Sequence, residues 1–157
     1  MRGTGEPSRH TWSMEQGLRS AEFGPPGPLR DRLVALILSG RKTATSSLVS
    51  DYELEGEPLP GPGELELLLD SSGRDVAVLE TLAVVVVPLA NVPWSHVVAE
   101  GEDHATPAEW RQDHEEFWAA NSPAGQLDDS TPVVMQEFKV VGRLRAEQSP
   151  RPHVRVH

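Results

Sequence analysis

Two hydrophobic periods alternate along this chain, and the places where one gives way to the other define its elements. Over residues 29–38 apolar positions recur at helical spacing, with Leu29, Leu33, Leu36 and Ile37 on one face. Pro28 suits the first helical turn, and Gly40 sits just past the end. From Thr43 the period shortens to alternation, so residues 43–50 read as a strand. Residues 51–63 form an acidic, Pro- and Gly-rich excursion. Residues 64–70 and 76–87 flank Ser71-Ser72-Gly73, a turn signal, and predict a hairpin whose long second strand stops at Pro88. A short helix is expected over 93–100 and a polar loop over 101–104. Thr106 as N-cap and Pro107 at the first position then open a helix to about Ala120. Trp110, His114, Phe117 and Trp118 share one side of it. Residues 132–141 read as the last strand. Upstream, residues 11–23 read as a short helix with Trp12, Leu18 and Phe23 as its apolar contacts, broken by Gly24-Pro25-Pro26-Gly27.

This order has no strand–helix–strand alternation. It predicts an α+β fold of about five or six mainly antiparallel strands, in a sheet able to close on itself, with flanking helices. One domain is expected over 11–144, between a disordered N-terminus at 1–10 and a flexible basic tail at 145–157. Without a cysteine, disulfides and thiolate metal sites are excluded. No apolar run reaches the roughly 18–20 residues of a membrane span, and residues 1–10 lack the apolar stretch of a signal peptide. A soluble cytoplasmic protein with no membrane partner is the expectation.

Charge narrows the choice of partner. The net charge is −10, and acids are concentrated: nine against Arg74 alone over 51–80, seven against Arg111 alone over 100–116. Tight non-specific binding to a long polyanion needs a basic face, which this chain lacks outside its C-terminal end. A small ligand in a local pocket is compatible with that balance.

The stretch Ser39-Gly40-Arg41-Lys42-Thr43-Ala44-Thr45-Ser46-Ser47-Leu48 is where helix hands over to strand, and it gathers two cations and several hydroxyls. Of fourteen basic residues only Lys42 and Lys139 are lysines. Lys can lose its proton when desolvated and Arg cannot, so a Lys beside hydroxyls is a candidate base for a neighbouring nucleophile. Lys42 and Thr45 are three apart; a regular strand would send them to opposite faces, whereas a twisted turn at Lys42 brings both to one rim. An ordinary β-branched strand residue accounts for Thr45 as well.

Gly40-Arg41-Lys42-Thr43-Ala44-Thr45 resembles the G-x-K-x-x-T signature of the ASCH domain, a small β-barrel family related to the PUA RNA-binding domains. The likeness runs on in order through Glu22-Phe23-Gly24, Glu55-Gly56-Glu57-Pro58-Leu59-Pro60, Val78-Leu79-Glu80-Thr81, Ala99-Glu100-Gly101-Glu102-Asp103 and Trp110-Arg111 with His114 and Phe117-Trp118. It covers about residues 22–144 and implies a PUA-like small β-barrel with flanking helices.

The resemblance also implies a pocket for a nucleoside, a nucleotide or a base of short single-stranded RNA. Family members that remove the acetyl group from N4-acetylcytidine use a Lys, a Thr and a Glu. Matched motif by motif, these are Lys42, Thr45 and Glu102, the Glu through Ala99-Glu100-Gly101-Glu102. Arg41, Ser46, Glu80, Trp110, Arg111 and His114 are the expected ligand-binding residues. Trp110 offers a ring on which a base can stack, and Arg111 can fork onto phosphate. Glu80 resembles a residue that points into the family cavity, though a strand end in solvent explains it too. Glu102, Asp103, His104 and His114 have ligand chemistry but no recognised metal spacing, so neither a metal nor a cofactor is expected. The alternatives left open are a single-stranded RNA ribonuclease and a module that binds modified nucleotides without chemistry.

Overall fold

The computed structural model describes residues 17–145. The readings made above for residues 1–10, for the start of the 11–23 helix and for residues 146–157 lie outside them. Five strands form one curled, half-closed sheet in the order β1-β3-β4-β5-β2, where β1 is Arg19–Ala21, β2 Ala44–Leu48, β3 Leu65–Leu69, β4 Asp75–Pro88 and β5 Pro132–Arg143. All neighbours are antiparallel except β1 and β3. The curl has a local cause. Register shifts at Leu68/Leu69, Val78/Leu79 and between Thr81 and Ala83 each bend the ladder, so β4 pairs β3 with its first half and follows β5 along its whole second half. The expected hairpin and the closing strand are therefore present, within a fold of the α+β class.

Four helices flank the sheet: α1 Pro28–Leu38, α2 Val49–Glu55, α3 Trp94–Glu100 and α4 Pro107–Asn121. Apolar contacts gather in two clusters. Val34 and Ile37 of α1 pack on Leu68, Ala77, Leu79 and Phe138, while α3 and α4 bring Val97, Trp110 and Trp118 against Leu48, Leu89 and Val133. Between these clusters the sheet's concave side stays open. Among the described residues no helix is long and apolar enough to cross a membrane.

Three elements differ from the sequence reading. Residues 19–21 are not helical; they add a short parallel edge to β3. Trp12, Leu18 and Phe23 never held a helical period, and edge pairing satisfies the backbone instead. The first strand ends at Leu48, because α2 begins at Val49 and closes on Gly56 in the left-handed region at φ 66. Helix α1 is rotated from its expected phase. Its buried face is Arg30, Leu33, Val34 and Ile37, and Leu29 is exposed. Arg30 displaces Leu29 because its guanidinium is satisfied inside: it donates to the carbonyl oxygens of Gly24 and Asp70 and pairs with Glu22 at 2.9 Å.

Candidate functional site

The loop after α1 is fastened before it reaches the sheet. Gly40 takes φ 85, the amides of Arg41 and Lys42 both donate to the Leu36 carbonyl, and the Thr43 amide donates to Ala99 at the end of α3. This ties the Lys42 segment to the turn that follows α3. Gly101 makes the approach possible: it sits at φ 69, and a Cβ there would fall on the Arg41 carbonyl oxygen. The chain can therefore pass under Arg41 and carry Glu102 to Lys42. Lys42 Nζ donates to Glu102 Oε2 at 2.7 Å and to the Ala44 carbonyl at 2.9 Å, and lies 5.9 Å from the centre of the Phe23 ring. Lys42 is 2% exposed, so this ion pair is shielded from bulk water.

The pair lies in the wall of a cavity of about 810 Å³ enclosed by α1, α2, α4 and the concave sheet. Lys42, Thr45 and Glu102 all line it. Ser46 and His114 line it too. The other expected ligand residues stand elsewhere. Arg41 is exposed and paired with Asp103 at 2.9 Å. Glu80, opposite Lys139 across the strands, is not in the cavity wall. Trp110 is 2% exposed, behind His114, with ring centres 4.2 Å apart. Arg111 turns away to Glu115 and Asp129, at 3.0 and 2.7 Å. Core packing takes the tryptophan and local carboxylates take the two arginines.

Glu100, which the motif reading passed over in favour of Glu102, is among the most connected side chains here. It is fully buried and accepts four hydrogen bonds. Oε2 takes Ser46 Oγ at 2.6 Å and His96 Nε2 at 3.1 Å; Oε1 takes Trp110 Nε1 at 2.7 Å and His114 Nε2 at 3.3 Å. Burial alone would raise its pKa, but hydrogen bonds from His114 and His96 and the charge of Lys42 hold it well below the ordinary 4.5. His114 responds in the opposite sense. Burial pulls the imidazole down, yet Glu100 and the Trp110 carbonyl, which Nδ1 meets at 2.9 Å, leave its pKa above the ordinary 6.5. Both ring nitrogens face acceptors, so the protonated form fits the site.

Sequence reasoning also missed His96, Asp113 and Gln136, and weighed His104 only as a metal ligand. The His96–Glu100 spacing of four on a short helix was the one local signal available. Gln136 is opposite Thr45 across the β2–β5 ladder and donates to Thr81 and Glu66, a relation that only the register reveals. Among the described residues no group of three or more His, Cys, Asp or Glu is arranged to hold a metal ion.

Residues 19–142 match the ASCH domain, and the chain belongs to that family. A crystal structure of a protein from Enterococcus faecalis V583 is similar, with 32% identity and a TM-score of 0.72 over 80% of this chain and 77% of that one. The ASCH domain from Lactobacillus crispatus JV V101 has a similar fold at 24% identity, with a TM-score of 0.73 over 87% of this chain and 91% of that one. No curated protein matches the chain.

Proposed function

We propose that the protein hydrolyses a small amide, of the kind found in an N4-acylated cytosine nucleoside, in the cavity beside Lys42. The observation that carries this reading is the shielded Lys42–Glu102 pair sharing a cavity wall with the Thr45 hydroxyl. Lys42 passes a proton to Glu102 and takes the hydroxyl proton of Thr45 as Oγ bonds to the amide carbon. The carbon–nitrogen bond then breaks, the leaving nitrogen takes that proton from Lys42, and the acyl group stays on Thr45. The cavity wall carries Glu22, Asp51, Glu55, Glu66, Glu102, Glu109 and Asp113 against Arg19, Arg30, Arg32 and Lys42. Such a balance favours an uncharged nucleoside over a phosphate chain.

The test is to incubate the full chain with N4-acetylcytidine and, separately, with single-stranded RNA, and to measure cytidine, acetate and cleaved RNA. Cytidine and acetate are expected in equal amounts. Lys42→Arg keeps the charge but cannot give up a proton, so turnover should drop on the order of a hundredfold, with affinity changed far less. RNA cleavage without acetate release would establish the ribonuclease reading. Binding of the nucleoside without turnover would establish the non-catalytic one.

A further inference from the structure

Beyond Glu102 the chain passes through Asp103, a non-glycine residue at φ 66, and delivers His104 into the wall of the same cavity. Backbone strain of this kind persists where the surroundings over-determine it. The His104 side chain is 7% exposed, and its Nε2 lies 2.9 Å from Oδ2 of Asp113. A carboxylate only accepts, so Nε2 carries the hydrogen, and in the neutral ring the lone pair is on Nδ1. That nitrogen is buried and has no hydrogen-bond partner among the described residues. An unpaired buried acceptor costs stability, so its retention calls for a role.

His104 shares the cavity wall with Lys42, Thr45 and Glu102. It follows Glu102 by two residues, and its ring centre is 5.8 Å from that of His114. His114 cannot serve as a base, because Glu100 and the Trp110 carbonyl occupy both its nitrogens. Lys42 is engaged by Glu102 and Ala44. Glu109 also lines the wall, with one oxygen taken by the Ala105 amide. The lone pair on Nδ1 is thus a basic group that no described residue engages.

We propose that His104, oriented by Asp113, is a second general base of this site, acting at Nδ1 on the water that clears the acyl group from Thr45. The proposal rests on the amide-hydrolysis reading. Nδ1 takes one proton from water as the water oxygen bonds to the acyl carbon. The bond from that carbon to Thr45 Oγ breaks, Oγ takes the proton back from Nδ1, and the carboxylic acid leaves. The first half-reaction belongs to Lys42 and Glu102, the second to His104 and Asp113.

The two halves separate in time. With N4-acetylcytidine, His104→Gln and Asp113→Asn should leave the first release of cytidine unchanged and slow steady turnover by on the order of a hundredfold, the scale of a lost positioned base. A cytidine burst equal to the enzyme should appear, with an acetyl adduct on Thr45 by mass spectrometry. Asp113 is largely exposed, so its variant keeps the fold and guards against a trivial loss at His104. Imidazole added to His104→Ala should restore turnover, which no packing role would allow. Turnover at the wild-type rate in both variants would overturn the proposal while the amide reading stood, and so would equal loss of burst and steady rate. A wild-type chain that released neither cytidine nor acetate would remove both.

Discussion

Glu100 and Glu102 are two residues apart and differ in almost everything that decides what a carboxylate can do. Glu100 is fully buried with all its capacity spent on Ser46, His96, Trp110 and His114. Glu102 keeps 14% of its side chain exposed toward the cavity and meets Lys42 through one oxygen. A saturated carboxylate has no reason to change protonation and acts as a clamp. A carboxylate with one donor and an open side can pass a proton. The Gly101 turn between them separates the two roles, turning one glutamate inward to the α3–α4 cluster and the next outward to Lys42.

The largest expected effect breaks the clamp. In Glu100→Gln an amide NH₂ must face Ser46 and His96 or Trp110 and His114, so at least one of these groups must turn or change its protonation. The charge opposite His114 is lost as well. Breaking a buried charged pair typically costs about 3–5 kcal/mol, so a fall of that order is expected in denaturant unfolding. The matching change at Glu102 should behave differently. In Glu102→Gln the amide oxygen still accepts from Lys42 and the NH₂ faces the cavity, so the stability loss should stay near 1–2 kcal/mol. Turnover, in contrast, should fall by on the order of a hundredfold, since the amide cannot hold the proton. Equal stability losses at the two positions would dissolve the distinction.

Gly101→Ala tests what keeps the two glutamates apart. Backbone strain at a positive φ costs about 1–3 kcal/mol, and the added methyl meets the Arg41 carbonyl. The expected outcome is a moderate fall in unfolding midpoint together with loss of turnover, because the loop must shift and Glu102 moves away from Lys42. A stability loss without an activity loss would show that the approach is not needed for the pair.

Much of this was open to sequence reasoning, and the part that was not has a definite physical cause. Lys42, Thr45 and Glu102 could be named because short motifs carry them. Glu100 could not, since three of its four partners, Ser46, Trp110 and His114, come from elements that only the fold brings together. The phase of α1 was misread because Arg30 carries charge, and hydrophobic periodicity has no means of seeing a guanidinium satisfied by Gly24, Asp70 and Glu22. Arg41, Trp110 and Arg111 were drawn to a ligand by their chemistry, while Asp103, Glu100, Glu115 and Asp129 engage them first.

The clamp also carries a pH signature. Glu100 has a depressed pKa, so its contribution is present above the ordinary 4.5 and is lost as pH falls through its lower folded value. His114 has a raised pKa, so its contribution is present below the ordinary 6.5 and is lost as pH climbs through its higher folded value. Together they predict a stability plateau between these values with a shallow decline on the alkaline side. Thermal unfolding across this range should show that decline in the wild type and a flatter alkaline limb in His114→Gln. An unchanged limb in the variant would assign the decline to other groups.

The smallest expected effect comes from the chain's other lysine. Lys139 also faces a glutamate, since β4 and β5 place it directly opposite Glu80. The cavity wall includes neither residue, and Lys139 is exposed. Lys139 is exposed and Glu80 half-buried, so water screens such a cross-strand pairing, and pairs of this kind contribute only about 0–1 kcal/mol. Lys139→Arg and Glu80→Gln are therefore expected to leave turnover at the wild-type level and the unfolding midpoint almost unmoved. The same two substitutions at Lys42 and Glu102 change no more atoms, yet they fall where the pair is shielded, in a cavity wall that Thr45 shares. If Glu80→Gln instead reduced turnover as Glu102→Gln is expected to do, reaction chemistry would have to reach the outer face of the sheet. The division between the Lys42–Glu102 pair inside the curl and the Lys139–Glu80 pairing outside it would then be wrong.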